Sequence, residues 1–452
     1  MVKLIKYTLL LLSLLIAIPG CSKENIENNS QTKPIIKNED ILVKTLLYMD
    51  WSPLSFIMTT SYNEKRNSLI SNLEKISASP SVELKSMSDN DLCLASMSYK
   101  FLLDYGYKTN ELSLMTLKDY YSLIVDLNTV NTGRTQNELE SKAIAVNLNI
   151  AYEWWFRKNP QTNNLINKLN SIKNSNPIFG LKDNRNITMD VLRIVKADEK
   201  FTYLGVSHSM VNDGRFKLYL SGSNDLKSWT YITELGDRAH QGDIEKWGNG
   251  YLVANEQDVI QGSNNVQLRF YNSYDDLIIN NPSYDKSITR TFAPTAEGTP
   301  DIRKIEGNTP SNSYILLGFH YYENIIHDQQ AFGIIQNFSE WKAWKDIISN
   351  NNIQNMGFKG NIGARTSFRR DGDYILIEAQ YIQHDWSSWR ILFGNGLFYY
   401  QLNPNTNLGS TSFANPGIAQ IDQNRFIVTS FMPSQGNMVG ETGELLYTIQ
   451  LQ

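Results

Sequence analysis

The chain changes its hydrophobic period once. From about residue 41 to 175 apolar residues recur at three- and four-residue spacing, the signature of amphipathic helices. In "TQNELESKAIAVNLNIAYEWW", Thr135 and Glu138 form a capping box, and Leu139, Ala143, Val146, Ile150 and Trp154 make one face. Ser88 opens another helix that runs through Leu92, Met97 and Leu102 to a stop at Gly106, and a third begins near Thr116. The region contains no histidine, and its polar residues read as solvated helix faces. The expectation is an α-helical accessory domain over residues 41–175, without a site of its own.

Beyond "NSNPIFGLKDN" the period becomes two. Short alternating strands rich in Tyr, Phe, Ile and Val are punctuated by Gly, Asn and Asp. Five segments can be written beneath one another: "MDVLRIVKADEKFTYLGVSHS", "GDIEKWGNGYLVANEQ", "PDIRKIEGNTPSNSYILLGFHYY", "ARTSFRRDGDYILIEAQ" and "NPGIAQIDQNRFIVTSF". Each is a strand, a turn and a second strand opening on Tyr203, Tyr251, Tyr314, Tyr374 or Phe426. Aligned on Asp190, Asp243, Asp301, Arg365 and Asn415, they recur at spacings of 53, 58, 64 and 50 residues. Such a repeat fits four-stranded blades with long loops. The fold expected over residues 180–452 is an all-β five-bladed propeller, with a β-sandwich or a pair of sheets as the alternatives.

The first twenty residues carry Lys3 and Lys6, an apolar run of about 13 residues, and then Ile18-Pro19-Gly20-Cys21. That run is short of the roughly 20 residues a spanning helix needs. The pattern resembles a bacterial lipoprotein signal, in which cleavage leaves Cys21 to carry lipid. A polar tether follows over residues 21–40, and Ser22-Lys23-Glu24 resembles the export signals of surface-displayed lipoproteins in some Gram-negative bacteria. The implied location is a bacterial membrane, the outer membrane or cell surface, reached through the lipid. With Cys21 assigned to lipid, Cys93 has no partner for an intramolecular disulfide.

A formal net charge of −4 over 452 residues, with no basic stripe, gives no footprint for nucleic acid. Neither a Ser/His/Asp elbow, a cysteine nucleophile nor a phosphate-cradling glycine loop occurs at meaningful spacing; "GNG" at Gly248 reads as a hairpin turn. No cofactor is expected. The histidines make no metal motif, and although oxygen ligands from separated loops could hold an axial calcium or sodium ion, nothing in the sequence predicts one.

"SNDLKSW", Ser223 to Trp229, and "AEGTPDI" around Glu297 resemble signatures of five-bladed-propeller glycosidases, family 43 glycoside hydrolases and their relatives. The resemblance covers about 270 residues and leaves the helical half without a counterpart. It implies a site where the innermost strands converge on the propeller axis, in which one carboxylate activates water while a carboxylic acid protonates the glycosidic oxygen, inverting the anomeric centre. Carried over, it makes Asp190 the general base and Glu297 the acid, with Asp243 or Asp301 as the neighbour that raises the acid's pKa. In that family the acid belongs to the fourth blade, whereas Glu297 precedes the third start here and Arg365 stands at the fourth.

The residues themselves point to the same axis. All five histidines fall in the propeller half. His208 and His320 end second strands, Glu256 and Glu378 take the matching places in blades two and four, and His240 stands in "HQGD". Equivalent positions of successive blades ring the axis, so these side chains, with Arg365, are expected to bind substrate. Trp386 and Trp389 of "HDWSSWR", and Trp341 and Trp344 of "EWKAWKD", read either as sugar-stacking platforms or as aromatic packing between blades. Glu441 reads as a turn residue. Two functions remain in front: a tethered glycoside hydrolase acting on an extracytoplasmic oligo- or polysaccharide, and a non-catalytic carbohydrate-binding lipoprotein using the same pocket. A protein-interaction propeller is the third.

Overall fold

The computed structural model describes residues 37–49, 54–120, 122–124, 160–260, 263–324, 327–369, 373–396 and 398–451. The signal, Cys21, the tether up to Ile36 and the Thr135 box with its Leu139–Trp154 face lie outside the described residues. From Lys37 onward the chain forms one compact unit.

Seven described helices come first: α1 (Asn38–Met49), α2 (Leu54–Thr59), α3 (Tyr62–Ile76), α4 (Ser81–Ser86), α5 (Asp89–Tyr105), α6 (Thr109–Leu112) and α7 (Pro160–Asn170). Their ends follow the local chemistry. The Ser88 hydroxyl accepts from the Asp91 N–H to start α5, and Gly106 ends it at a φ of 115°, a left-handed turn that costs a glycine nothing. Thr116 accepts from the Asp119 N–H and opens a helical turn at residues 117–120. The polar residues of this region are not all solvated. Lys65 is fully buried and donates to Glu39 (2.7 Å), while Lys44 is buried against Asp346 and donates to the Ser349 hydroxyl (2.6 Å). For Lys44 the reason is that α1 is enclosed from Leu42 to Met49. Leu42 and Leu46 join Leu73, Leu92 and Leu102 in a core that continues into Phe368, Phe393, Phe426 and Tyr447 of the propeller. Val43 and Leu47, with Ile57, pack on Leu316, Phe332 and Trp344. A helix hydrophobic all round is a buried helix, and its one cation needs a buried anion.

Five sheets follow. Blade one is β1–β4 (Asp190–Lys196, Tyr203–Met210, Phe216–Ser223, Thr230–Asp237), and blade two is β5–β8 (Ala239–Trp247, Gly250–Ile260, Ser263–Tyr271, Tyr284–Ser287). Blade three is β9–β12 (Glu297–Thr309, Asn312–Glu323, His327–Gln336, Glu340–Lys345), and blade four is β13–β16 (Ile362–Arg369, Asp373–Gln380, Trp389–Gly394, Tyr399–Gln401). Blade five has three strands of its own, β17–β19 (Ala414–Gln420, Arg425–Met432, Gly443–Gln450). Its open edge is taken by the segment before blade one: Ile178 and Leu446 exchange both backbone hydrogen bonds, and the Leu181 N–H donates to the Glu444 carbonyl. The two ends of the propeller are thereby joined, which removes an exposed sheet edge. The innermost strands β1, β5, β9, β13 and β17 touch in a closed ring. Because each blade is covered on both faces, strands such as β2 are buried almost without interruption, and the period of two fades where packing is two-sided.

Each inner strand carries an irregularity at one place. Pairing to the second strand breaks between Asp190 and Arg193, His240 and Asp243, Ile362 and Arg365, and Ala414 and Gly417, and in blade three between the partners of Gly298 and Asp301. In four of the five the residue after the break, Val191, Gln241, Thr299 or Asn415, has positive φ, as bulged strands often require. This register corrects the alignment expected from sequence. Asp243, Asp301 and Arg365 are equivalent, but their counterparts are Arg193 and Gly417; Asp190 is equivalent to His240, Gly298, Ile362 and Ala414.

Candidate active site at the propeller axis

The repeated bulge divides the axis into two layers. The upper layer, where inner strands begin, carries Asp190, His240, Gly298, Ile362 and Ala414. Opposite them on the second strands stand His208, Glu256, His320, Ala379 and Phe431. The lower layer carries Arg193, Asp243, Asp301, Arg365 and Gly417. The bulge explains the sorting, since its extra residue re-aims the side chains on either side of it.

In the lower layer every charge is spent on the backbone of another strand. Arg193 donates to the Pro416 carbonyl and, through Nη2, to the Arg365 carbonyl (3.1 Å). The Arg365 Nη2 donates to the Ala331 carbonyl (2.5 Å), and its Nε lies 3.7 Å from the Asp301 carboxylate. Asp301 accepts from the Ser367 N–H (2.9 Å) and hydroxyl (2.6 Å), and Asp243 from the Ile302 N–H (2.7 Å) and its neighbour Ile244 (3.0 Å). Two arginines and two aspartates thus stitch blades together with their charges balanced. Burial and the nearby Asp301 charge push the Asp243 carboxyl up to about 7, against the pull of Arg193. Below this ring the axis continues as a cavity of about 440 Å³ that includes Glu245, Lys246 and Arg303 in its walls, with Leu47 and Leu54 of the helical region at its edge. Burial, with Asp243 and Asp301 nearby, pushes Glu245 up to about 8.

The upper layer is different in kind. Glu256, buried, accepts from the Thr299 hydroxyl (2.5 Å) and the Asn264 amide (2.7 Å), and one of its oxygens lies 3.4 Å from His240 Nδ1. His240 Nε2 in turn meets Asp258 (3.2 Å). On the other flank His320 Nε2 lies 3.9 Å from Glu256 and 3.6 Å from Asp328, and its Nδ1 is buried without a partner. Gly298 makes the cluster fit, because a Cβ there would stand 2.2 Å from the Glu256 carboxyl carbon. His208 accepts the Gln241 N–H at Nδ1 (3.1 Å), which puts its proton on Nε2, and its ring centre is 5.9 Å from that of His240. Burial, aided by His240, pushes His208 down to about 3, so it is neutral at any ordinary pH. Burial opposes a charge on His240 as well, but Glu256 and Asp258 outweigh it and raise its pKa. Asp190 pairs across the sheet with His208, and its carboxylate takes only the Thr188 hydroxyl (3.2 Å) among the described residues. Burial pushes it up to about 6. Asp328 is raised too, by burial against the pull of His320.

The residues expected from sequence are therefore distributed over several places. His208, His240, Glu256 and His320 come together in the upper layer with Asp190. Asp243, Asp301 and Arg365 belong to the ring beneath. Glu297 is one residue before Gly298 in β9, buried, and its Oε1 receives the N–H groups of Thr291 (2.8 Å), Phe292 and Ala293 (3.0 Å), fastening the preceding turn. Glu378 is one position off the expected match, which is Ala379. Its carboxylate accepts from Ala364 N (2.7 Å) and Asn415 N, the start of the next blade, and burial pushes it up to about 7 against those bonds. Trp386, half exposed, sits on the 3-10 turn Trp386–Ser388 outside the layer, whereas Trp389 and Trp344 are buried packing residues. Sequence reasoning missed Asp258 and Asp328, which sit at the ends of second and third strands. It also missed Arg193, and Glu444, which accepts from Val191 N (2.8 Å) and Leu192 N (3.1 Å) at the first bulge. Writing "DVLR", "HQGD", "GTPD", "IGAR" and "ANPG" in register would have found Arg193.

Searches for relatives add no activity. No family model matches the chain, and no curated protein matches it. Solved structures of similar shape include a thermostable family-43 glycoside hydrolase (11% identity, 62% of this chain and 92% of that one, TM-score 0.38). Others are an α-L-arabinofuranosidase from Podospora anserina in complex with cellotriose (12%, 61% and 95%, 0.37) and an N-acetylgalactosamine deacetylase from F. plautii in complex with blood group B trisaccharide (10%, 62% and 94%, 0.39). At these values the similarity assigns no chemistry, which has to be argued from this chain's own side chains.

Proposed function

We propose that the upper layer is the active site of a hydrolase acting on carbohydrate, with Asp190 and Glu256 as its carboxyl pair. The observation that carries this reading is a division of labour among the acids of the propeller's inner strands and their neighbours. Asp243, Asp301, Glu297, Glu378 and Glu444 all accept backbone N–H groups and hold blades, bulges or turns in place. Asp190 and Glu256 accept only from side chains among the described residues, and they share a layer with three histidines. In that reading Asp190, ionised above about pH 6, takes a proton from the attacking water. The water oxygen bonds to the anomeric carbon as the bond to the leaving oxygen breaks, and that oxygen takes a proton from the His240 imidazolium, whose charge the Glu256 carboxylate 3.4 Å away favours. His208, neutral and carrying its proton on Nε2, suits a sugar hydroxyl. Four carboxylates, Asp190, Glu256, Asp258 and Asp328, without an arginine or lysine in the described part of this layer, favour neutral or cationic sugars over anionic ones. The cysteine that follows the signal supports tethering of the protein to a membrane through lipid on Cys21.

A second reading, capture of a glycan without turnover, is favoured by one observation. At the upper-layer positions the inner strands of blades three, four and five carry Gly298, Ile362 and Ala414, so no further acid comes from those positions. A panel of 4-nitrophenyl glycosides and neutral oligosaccharides tests both. Hydrolysis by the wild type that falls at least a hundredfold in Asp190→Asn and Glu256→Gln, with folding intact, supports the hydrolase. Binding without turnover, weakened by the same substitutions, selects capture. Activity indifferent to both substitutions removes the site.

A further inference from the structure

The cavity beneath the ring is shaped by more than the propeller. Leu47 of α1 and Leu54 of α2 stand in its wall, and the Leu54 N–H donates to the Glu306 carboxylate of β9 (3.2 Å), so the helical region is fastened beside the lower end of the axis. The space, about 440 Å³, is that of an ordinary small-molecule site. Part of its wall is apolar: Leu316 in blade three, and Phe368 and Tyr374 in blade four, whose rings stack at 5.4 Å between centres.

Glu245 follows Asp243 by two positions on β5, so both side chains stand on the same face of the strand. It is exposed although the inner strands surround it, as only a wall residue of a cavity can be. It has no hydrogen bond or ion pair among the described residues. The charges that act on it, Asp243 on its own strand and Asp301 on β9, are both negative, and with burial they hold its carboxyl up at about 8. The cations of the wall are engaged elsewhere. Arg193 is spent on carbonyls, Lys196 lies 3.1 Å from Asp198, Lys246 donates to the Ala197 carbonyl (2.8 Å), and Lys304 lies 2.9 Å from Glu306. Arg303 sits where β9 breaks register a second time, between Ile302 and Lys304, and it also lines a smaller cavity with Lys44 and Asp346. The described residues of β13 and β17 bring no charge to this wall. A reachable carboxyl without a partner, beside two further acids, lacks a cation. Among the described residues no group of three acids, histidines or cysteines is placed to hold a metal ion, so the missing cation is an organic one.

We propose that this cavity is a second binding site, separate from the upper layer, for a small organic cation whose ammonium group pairs with Glu245 while its apolar body lies against Phe368, Tyr374 and Leu316. The proposal stands whether or not the upper layer acts on carbohydrate. Binding includes a proton balance. Glu245 is mostly neutral at pH 7, so its O–H bond breaks as the ammonium arrives, the proton leaves to solvent, and the ammonium donates to the carboxylate formed. Affinity therefore rises about fiftyfold from pH 6 to pH 8, below the range where an alkylamine loses its own proton. Asp243, at about 7, ionises in the same window and acts in the same sense. Calorimetric titration of the full chain with 2-phenylethylamine and its neutral isostere 2-phenylethanol, at pH 6, 7 and 8 and in two buffers of different ionisation heat, tests this. The amine binds about tenfold or more tighter than the alcohol at pH 8, with proton release at pH 7, and the alcohol shows no dependence on pH. Glu245→Gln reduces the amine to the level of the alcohol, flattens most of its pH dependence, and keeps the wild-type unfolding midpoint because no partner is lost. Asp190→Asn binds the amine as the wild type does. Equal affinity for amine and alcohol, or no binding of the amine, overturns the proposal. Amine binding that survives Glu245→Gln, or that is lost in Asp190→Asn, places the amine elsewhere and overturns it too. Displacement of the amine by an equal concentration of sodium or potassium ion contradicts the organic class of the ligand.

Discussion

Two layers of one axis, built from the same repeat and separated by a bulge, put their charged side chains to opposite uses. In the lower ring Arg193, Asp243, Asp301 and Arg365 are bonded to main-chain groups of neighbouring blades. In the upper layer Glu256 and Asp190 accept from hydroxyls and an amide, and His240 and His320 stand within 3.4 and 3.9 Å of Glu256. A charge committed to the backbone cannot move a proton without loosening the fold, whereas one held by side chains can. Burial, high acid content and position on the axis are common to both layers, so none of these marks a site. The partner does.

The largest effect expected from breaking this contrast is in the ring. Asp301→Ala leaves Arg365 buried without its nearest carboxylate and the Ser367 N–H without an acceptor, and costs about 3–5 kcal/mol. Thermal and urea unfolding check it, and a variant as stable as the wild type would contradict the structural role. Lys44→Met acts at the edge of the same network, because Asp346 also lies 3.9 Å from Arg365. Burial pushes Lys44 down to about 8 even with Asp346 beside it, so the pair is costly to form. Loss of about 3 kcal/mol is expected from Lys44→Met alone, with a large part restored in Lys44→Met/Asp346→Leu, and a double-mutant cycle reads the coupling.

Glu256→Gln is expected to cost about 1 kcal/mol or less, since an amide keeps the Thr299 bond, while abolishing function. A drop in stability as large as that of Asp301→Ala would erase the distinction between the layers. A smaller effect concerns pH. His208 is held near 3 in the folded chain, below its ordinary value, so between about pH 6.5 and 3 the unfolded chain binds a proton that the folded one refuses. Stability falls as pH drops through that window, and His208→Gln narrows the difference in melting temperature between pH 7 and pH 5. An unchanged difference contradicts the neutral His208. The smallest effect, an unfolding midpoint indistinguishable from that of the wild type, is expected from Arg425→Ala, whose pair with Asp422 is exposed.

Much of the fold was legible because the local chemistry that sets it is repeated. Tyr203, Tyr251, Tyr314, Tyr374 and Phe426 do open or nearly open second strands, and Ser88 and Gly106 do bound a helix. The fourth strand of blade five was not legible, since the segment around Ile178 belongs to it only through a backbone exchange with Leu446. Nor was the burial of Lys44, whose partner Asp346 is about 300 residues away. The site was half legible. His208, His240, Glu256 and His320 could be grouped because equivalent positions ring an axis. Asp190 and Asp243 looked equivalent because both are acids before an apolar run, and only the bulge shows that they stand three positions apart. Glu297 matched a short motif, but its role is set by the three N–H groups of Thr291 to Ala293, which no motif records. Asp258 and Asp328 became visible only through their histidines.

The most direct test compares Asp190→Asn with Asp243→Asn in one series, following turnover of an accepted oligosaccharide and the unfolding midpoint together. The account predicts that Asp190→Asn keeps the wild-type midpoint and loses turnover, while Asp243→Asn lowers the midpoint and keeps turnover in the fraction that stays folded. Loss of turnover in a fully folded Asp243→Asn, beside an active Asp190→Asn, would place the chemistry in the ring and contradict it.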